Sequence, residues 1–417
     1  MAQIQDVFVF NSYSIQSNKK EIHFTYTYQT SHSQSTGLSL IEKVILPKEI
    51  PADIPSDLLH RLLQNLHLML GVSYYKMYCA NKIITPYLLS KAQANFWNIT
   101  YTKGLGELFY RNTIDFRGLI NFPYDEKKKD QPIVFPRKNR VLIGVGGGKD
   151  SVVAVEILKK QNRDITGFVL ENGPDSKIQR DVIKTMSIDH LVVKRFLDEK
   201  LLKPNQMNHV FYGHVPVSAI YAFIGLLLAV LYDYSSIVTA NEKSANFGNI
   251  DYLGVEINHQ WSKSEEFEVL FKRYVQRCIT PNVNYFSVLR NYSEMEIVKR
   301  FVQFKNYFPV FSSCNINFRI DNKMDKKKWC GKCPKCAFVF ITLSAYLPKE
   351  KVIKIFKKNL LGDQSLTSLY IDLIGRGTMK PFDCVGTFDD AKEAFKAIHK
   401  KGDFEGDTVM KSIQHMV

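Results

Sequence analysis

The spacing of apolar residues changes along this chain, and each change predicts a different element. Val7-Phe8-Val9-Phe10 is apolar, Ser17-Asn18-Lys19-Lys20 is turn-like, and residues 22–28 alternate apolar or aromatic with polar side chains. That two-residue period predicts a β-hairpin over residues 5–30. Leu58, Leu59, Leu62, Leu63, Leu66 and Leu70 then recur at three- and four-residue steps behind Pro55-Ser56-Asp57. This is a buried helical stripe with its start signal, and it predicts a helix over 56–80. A second helix is expected over about 86–101. The polar run Lys127-Lys128-Lys129-Asp130-Gln131-Pro132, followed by Pro136, reads as the linker that closes an α+β N-terminal domain over 1–135.

From Arg140 onward short apolar runs alternate with helical ones. Strands are expected at 141–145, 165–170, 191–197 and 237–240, and helices at 151–160, 176–187 and 215–231. Such alternation implies a parallel sheet with right-handed crossovers and helices on both faces. The expected fold class is therefore α/β, a doubly wound parallel sheet over 138–310. It is preceded by the α+β domain and followed over 311–417 by a cysteine cluster and helices near 337–346, 349–358 and 389–400. No internal repeat or long low-complexity segment interrupts this order.

Composition narrows the picture only a little. The 417 residues fit two or three domains. Hydrophobic residues at 45% exclude disorder of the whole chain. The longest apolar run, 215–231, contains Pro216, Ser218 and Gly225 and reads as a core helix, not a membrane span. The N-terminus lacks a charged region leading into an apolar one, so no secretion signal is expected. Lys+Arg 56 against Asp+Glu 41 gives a net charge of +15. That balance permits a nucleic acid partner, equally suits a small, highly anionic substrate, and would also follow from a Lys-rich composition alone.

The segment Gly144-Val145-Gly146-Gly147-Gly148-Lys149-Asp150-Ser151 carries the most chemistry. An apolar strand runs into glycines, and Asp and Ser open a helix. Glycine lets the backbone approach an anion closely, and the helix start offers free N–H groups and the positive end of a dipole. A P-loop would need Gly at 143 and Ser or Thr at 150, where Ile143 and Asp150 stand. The segment resembles instead the SGGxDS pyrophosphatase loop (PP-loop) of ATP-pyrophosphatases, which cleave ATP between its α- and β-phosphates. Gly146 stands where that loop has Ser, so pyrophosphate binding is expected to lean on backbone N–H groups and Lys149. The resemblance places adenine contacts at the end of the second strand, where the main chain of Phe168-Val169-Leu170-Glu171-Asn172 can read the base, Phe168 and Leu170 foremost.

Cys330, Cys333 and Cys336 form CxxCxxC, and Cys314 lies sixteen residues before it. Four thiolates so placed suit a closed tetrahedral Zn²⁺ site, which would be structural. An iron–sulfur cluster takes four thiolates too. Lys326, Lys327, Lys328, Lys332 and Lys335 would offset the negative charge of the centre. Clustered thiols of this kind belong to a reducing compartment, so a cytoplasmic location is expected.

Further segments discriminate among ATP-pyrophosphatases: Leu70 to Lys76 (LGVSYYK), Gly104 to Leu108 (GLGEL), Gly213 to Pro216 (GHVP), Asn258 to Ser264 (NHQWSKS) and Lys380 to Gly386 (KPFDCVG). With the glycine loop and the cysteine cluster they resemble the ATP-dependent UDP-N-acetylmuramoyl-L-alanyl-L-glutamate epimerases of bacterial cell-wall synthesis. The resemblance implies activation of the glutamate carboxylate by ATP with Mg²⁺, release of AMP and pyrophosphate, and inversion of the α-carbon. The substrate would be a nucleotide-sugar dipeptide rather than a nucleic acid. Removing and returning a proton needs two groups that titrate near working pH. His214, His259 and Cys384 are the candidates, although His214 could equally start a helix and Cys384 fill a core. Asn241, Glu242, His259 and Lys263 are candidate substrate contacts. Two other readings compete: a 7-cyano-7-deazaguanine synthase or tRNA-modifying enzyme using the same loop, and a non-catalytic nucleotide-sensing or RNA-binding protein.

Overall fold

The computed structural model describes residues 6–32, 35–172, 177–202, 210–318, 328–377 and 380–416. The expected hairpin forms from β1 (Val7–Ser17) and β2 (Glu21–His32), turned where Asn18 Oδ1 accepts the N–H groups of Lys20 and Glu21. A third strand, β3 (Ser35–Pro47), pairs with β2 and was not expected. Its inward residues are Leu40, Glu42, Val44 and Leu46, while Ile41 faces outward. A buried acid in the inward register and an apolar residue in the outward one hide the alternation. Glu42 is tolerated because Arg195 Nε donates to it at 2.6 Å.

That pair lies where the two halves of the chain join. The other strands are β4 (Lys82–Ile84), β5 (Val141–Gly144), β6 (Ile165–Glu171), β7 (Asp189–Phe196), β8 (Ser236–Thr239), β9 (Ile250–Tyr252), β10 (Val255–Ile257) and β11 (Asn284–Ser287). β3 runs antiparallel to β7, with Val44 opposite Arg195. Nine strands thereby form one mixed sheet in the order β11-β8-β5-β6-β7-β3-β2-β1-β4. The strands of 1–135 thus extend the parallel sheet of 138–310 rather than standing apart, because β7 would otherwise leave an open edge.

The helices are α1 (Ser56–Leu70), α2 (Val72–Tyr75), α3 (Lys91–Gly104), α4 (Gly106–Arg111), α5 (Lys149–Lys160), α6 (Lys177–Met186), α7 (Glu199–Leu202), α8 (Val217–Leu231), α9 (Glu265–Tyr274), α10 (Glu294–Phe301), α11 (Pro334–Ser344), α12 (Lys349–Phe356), α13 (Thr367–Leu373), α14 (Phe388–Lys401) and α15 (Thr408–Ile413). The expected helix over 56–80 breaks at Gly71, where a Cβ would lie 2.3 Å from the Phe10 ring. The helix expected from 86 starts later, because Ser90 and Gln93 form a capping box. α8 is buried on nearly every side, as its composition implies. Among the described residues no helix is long and apolar enough to cross a membrane.

The sheet separates two cores. Leu142 of β5 points to one, with α1, α3 and α8; Val141 and Ile143 point to the other, with α5, α10, α11 and α14. α11 and α14 of the C-terminal part therefore share the core on the face of the sheet that carries α5 and pack on α10.

Candidate active site

β5 ends at the glycine loop. Gly147 takes φ +87°, and a Cβ on Gly146 would meet nothing within 4 Å. Gly148 starts α5 without any side-chain cap, so the first N–H groups of the helix stay open to an anion. Ser151 Oγ donates to Gly148 O at 2.9 Å, and Ser312 N–H donates to Gly147 O at 3.1 Å. An open glycine, a left-handed glycine and an uncapped helix start fit a phosphate chain.

Lys149 does not face this cradle. It is fully buried, and its ammonium bonds to Glu294, at the start of α10, and to Asp150 at 2.5 Å. Burial works against its charge, but Asp150 and Glu294 outweigh that and raise its pKa. The expectation that Lys149 holds pyrophosphate is thus corrected: its charge is consumed by two carboxylates. Asp150 stays partly exposed, and despite burial Lys149, Lys335 and Lys263 hold its carboxyl below the usual range.

The three residues expected to move protons come together. His259 Nδ1 donates to Glu107 Oε2 at 2.5 Å, leaving its other ring nitrogen for a hydrogen bond with Cys384. The His214 ring centroid lies 4.3 Å from that of His259. Lys263 Nζ donates to Cys384 Sγ at 3.4 Å. Burial opposes charge on His259, yet Cys384 and Glu107 raise its pKa to about 10. Burial likewise opposes a thiolate, yet Lys263 and His259 lower Cys384 to about 6. His214 is pushed well below the ordinary histidine value by burial, with His259, Lys76 and Lys263 adding to the effect. Near neutrality the set is a thiolate, an imidazolium and a neutral imidazole side by side.

The discriminating segments build this cluster. A Cβ on Gly104 would lie 2.7 Å from Pro216 Cγ, so glycine lets α3 and the start of α8 approach. Lys76 Nζ donates to Gly213 O at 3.0 Å beside His214. Asn249 Nδ2 donates to Pro381 O, and Gln260 Nε2 to Val385 O. These bonds seat the KPFDCVG segment, with Cys384, against the NHQWSKS segment that carries His259.

Of the other expected contacts, Lys263 links the two centres: despite burial, Cys384, Glu242 and Asp150 together raise its pKa. Asn241 and Glu242 follow β8 and are buried, Glu242 accepting from Ser244 Oγ at 3.3 Å. Phe168 and Leu170 are core residues of β6; Phe168 packs on Tyr221, and its carbonyl accepts Val145 N–H. Both side chains lie in the core, so only main-chain groups at the carboxyl end of β6, beyond its last pairing with β5 at Phe168, remain for a base. Beyond them Asn172 Oδ1 is buried without a partner at the carboxyl end of the strand.

Cys314, Cys330, Cys333 and Cys336 place all four sulfurs within 4.8 Å of one another. Cys330 Sγ and Cys336 Sγ are 3.7 Å apart, close to the ~3.8 Å between thiolates on a tetrahedral zinc with bonds of about 2.3 Å. Backbone N–H groups of Cys330, Lys332, Cys333 and Cys336 point at the sulfurs at 3.3–3.4 Å, as thiolate ligands require. Lys332 is exposed and Lys335 buried; Lys326 and Lys327 lie outside the described residues.

Glu107, Glu294 and Lys335 were not singled out for the chemistry. Glu107 sits in the GLGEL segment, but an acid in the first turn of a helix is ordinary there. Only the fold brings it to His259.

Two family models together match most of the chain: one for the MurL N-terminal domain matches residues 1–288, and one for the MurL C-terminal domain matches residues 310–417. A UDP-N-acetyl-alpha-D-muramoyl-L-alanyl-L-glutamate epimerase of Xanthomonas oryzae pv. oryzae is 35% identical over 84% of this chain and 77% of that protein. An enzyme of the same description from a Micromonospora species is 33% identical over 98% of this chain and 90% of its own. Among solved structures, the NH3-dependent NAD synthetase of Campylobacter jejuni superposes with a TM-score of 0.22, at 14% identity, over 43% of this chain and 71% of that one.

Proposed function

Because the chain belongs to the UDP-N-acetyl-alpha-D-muramoyl-L-alanyl-L-glutamate epimerase family and carries both of its domains, we propose that it inverts the terminal L-glutamate of UDP-N-acetylmuramoyl-L-alanyl-L-glutamate to D-glutamate. ATP is cleaved to AMP and pyrophosphate, and water in a reducing, cytoplasm-like compartment is the working solvent. The observation that carries this reading is Lys263, whose ammonium bonds to Cys384 and acts on Asp150 of the glycine loop. It brings a phosphate cradle and a set of proton-transfer groups into one site.

The chemistry follows from charge. A free carboxylate beside the α-carbon opposes a carbanion there. The carboxylate oxygen attacks the α-phosphorus, pyrophosphate leaves, and the acyl-adenylate so formed has a neutral carbonyl that can delocalise the electron pair. Asp150 would be the loop's carboxylate for Mg²⁺, which would supply positive charge against the charge that develops on the leaving pyrophosphate. The Cys384 thiolate then takes the α-proton from one face. The His259 imidazolium, backed by Glu107, supplies a proton to the other face. The α-carbon would lie between the two, in place of their direct hydrogen bond. His214, held neutral, re-equilibrates His259 with solvent. Water cleaves the adenylate, giving the D-glutamate carboxylate, AMP and a proton. The four cysteines would hold a structural zinc that ties Cys314, next to the loop-contacting Ser312 and Ser313, to the start of α11.

The reaction is tested in D₂O with ATP, Mg²⁺ and the nucleotide-linked dipeptide. The D-epimer should appear with deuterium at the glutamate α-carbon, together with AMP and pyrophosphate. Exchange that proceeds without ATP would remove the adenylation step. AMP formed only with a deazaguanine substrate would overturn the reading.

A further inference from the structure

The glycine loop lacks the cation its sequence promised, since Lys149 is neutralised by Asp150 and Glu294. A second lysine stands nearby. Lys335 lies in the first turn of α11, between the cluster cysteines Cys333 and Cys336. It is 5% exposed and makes no ion pair or hydrogen bond among the described residues. Its charge nevertheless acts on Asp150 and Glu294 beside the loop, and on Asp383 and Cys384 beside the proton-transfer groups. It therefore sits between the two centres.

Three costs converge on this ammonium. It is largely removed from water. It lies at the positive end of a helix dipole, where a cation is disfavoured. The two nearest loop-side carboxylates are already bonded to another lysine. A bound anion would relieve all three. The segment that carries the cluster also touches the loop, through Ser312 N–H on Gly147 O and through Ser313, whose Oγ lies 2.6 Å from where a Cβ on Gly148 would be. Ser313 Oγ is itself buried with no partner.

We propose that Lys335 is the cation that binds the phosphate chain of ATP at the Gly146–Ser151 loop, and that the cysteine cluster exists in part to deliver it there. The proposal rests on the reading of that loop as the ATP site. The same ammonium acts on groups of both centres, so its charge can serve the nucleotide from binding into the acyl-adenylate.

Calorimetric binding of ATP, with adenosine as an uncharged control and no dipeptide present, tests this. Wild-type protein, Lys335→Met and Lys335→Arg are compared, with zinc content and circular dichroism measured on each. Lys335→Met should weaken ATP by about tenfold or more, the size of one lost charge-assisted contact, while adenosine affinity, zinc and fold stay as in wild type. Lys335→Arg should keep ATP affinity within about threefold, since the charge remains. ATP affinity unchanged in a zinc-loaded Lys335→Met protein overturns the assignment. So does an equal loss for adenosine, which would mark a purely structural role. Wild-type protein that binds neither ATP nor pyrophosphate would overturn the loop reading itself, and the proposal with it.

Discussion

Glu107 Oε2 accepts a hydrogen bond from His259 Nδ1 across 2.5 Å, tying the first turn of α4 to the segment that follows β10. Arg111 holds the other carboxylate oxygen, Nε to Oε1 at 2.5 Å. Glu107 is thereby fixed from both sides, and the His259 ring is held in the orientation that turns its second nitrogen toward Cys384.

The pH dependence follows from this pair. Cys384 titrates at about 6, so kcat/KM should rise as pH passes through that region and the thiolate forms. His259 titrates at about 10, so the rate should fall there as the imidazolium is lost. Glu107→Gln removes the negative partner, so His259 loses its proton more easily. The basic limb should move to lower pH in this variant, while the acidic limb stays where Lys263 and the still-charged His259 hold Cys384. A rate loss with an unmoved basic limb would show that Glu107 acts only in packing.

Cys384→Ser should separate the two half-reactions. Solvent exchange at the α-carbon should fall by roughly 10²–10⁴-fold, the usual worth of a positioned proton-transfer group. ATP–pyrophosphate exchange in the presence of the dipeptide should persist, because the glycine loop is untouched. Loss of both activities together, in a folded protein, would place Cys384 in the adenylation step instead.

Lys149 is a strut, and its removal should show in stability before it shows in chemistry. Both it and Glu294 have fully buried side chains. Lys149→Met would leave Glu294 uncompensated next to Asp150, at a cost of about 3–5 kcal/mol. The double variant Lys149→Met/Glu294→Leu should recover much of that loss. Denaturant unfolding of the three proteins checks it, and a Lys149→Met protein as stable as wild type would show that the pair is not formed.

The purified protein should carry about one zinc per chain and no iron, by elemental analysis and the absence of visible colour. Cys333→Ser should lose the metal and lower the thermal transition. ATP binding should fall with it, because Ser312, two residues before Cys314, bonds to Gly147. A colourless, metal-free protein that still binds ATP would remove the centre from the site.

The sequence by itself determined the local chemistry. A glycine-rich turn between an apolar strand and a helix can be read as an anion cradle, because backbone conformation there depends on a few neighbouring residues. CxxCxxC can be read as a metal site, because three of its four ligands lie within seven residues of chain. The long α8 declared its burial through its own composition. His214, His259 and Cys384 could be named as proton carriers only through the segments that hold them.

Tertiary structure decided what those residues face. Glu107, His259 and Cys384 are separated by more than a hundred residues at each step, and charge falls off with distance in space, not along the chain. Lys149 reads as a phosphate ligand until Glu294, 145 positions later, takes its ammonium. Lys335 reads as counter-charge for a metal until the fold sets it between the loop and Cys384. β3 was hidden because Glu42 breaks the apolar alternation, and only Arg195 on β7 makes that acid tolerable. Local pattern fixes which groups are present, and long-range packing fixes their neighbours, their pKa values and so their work.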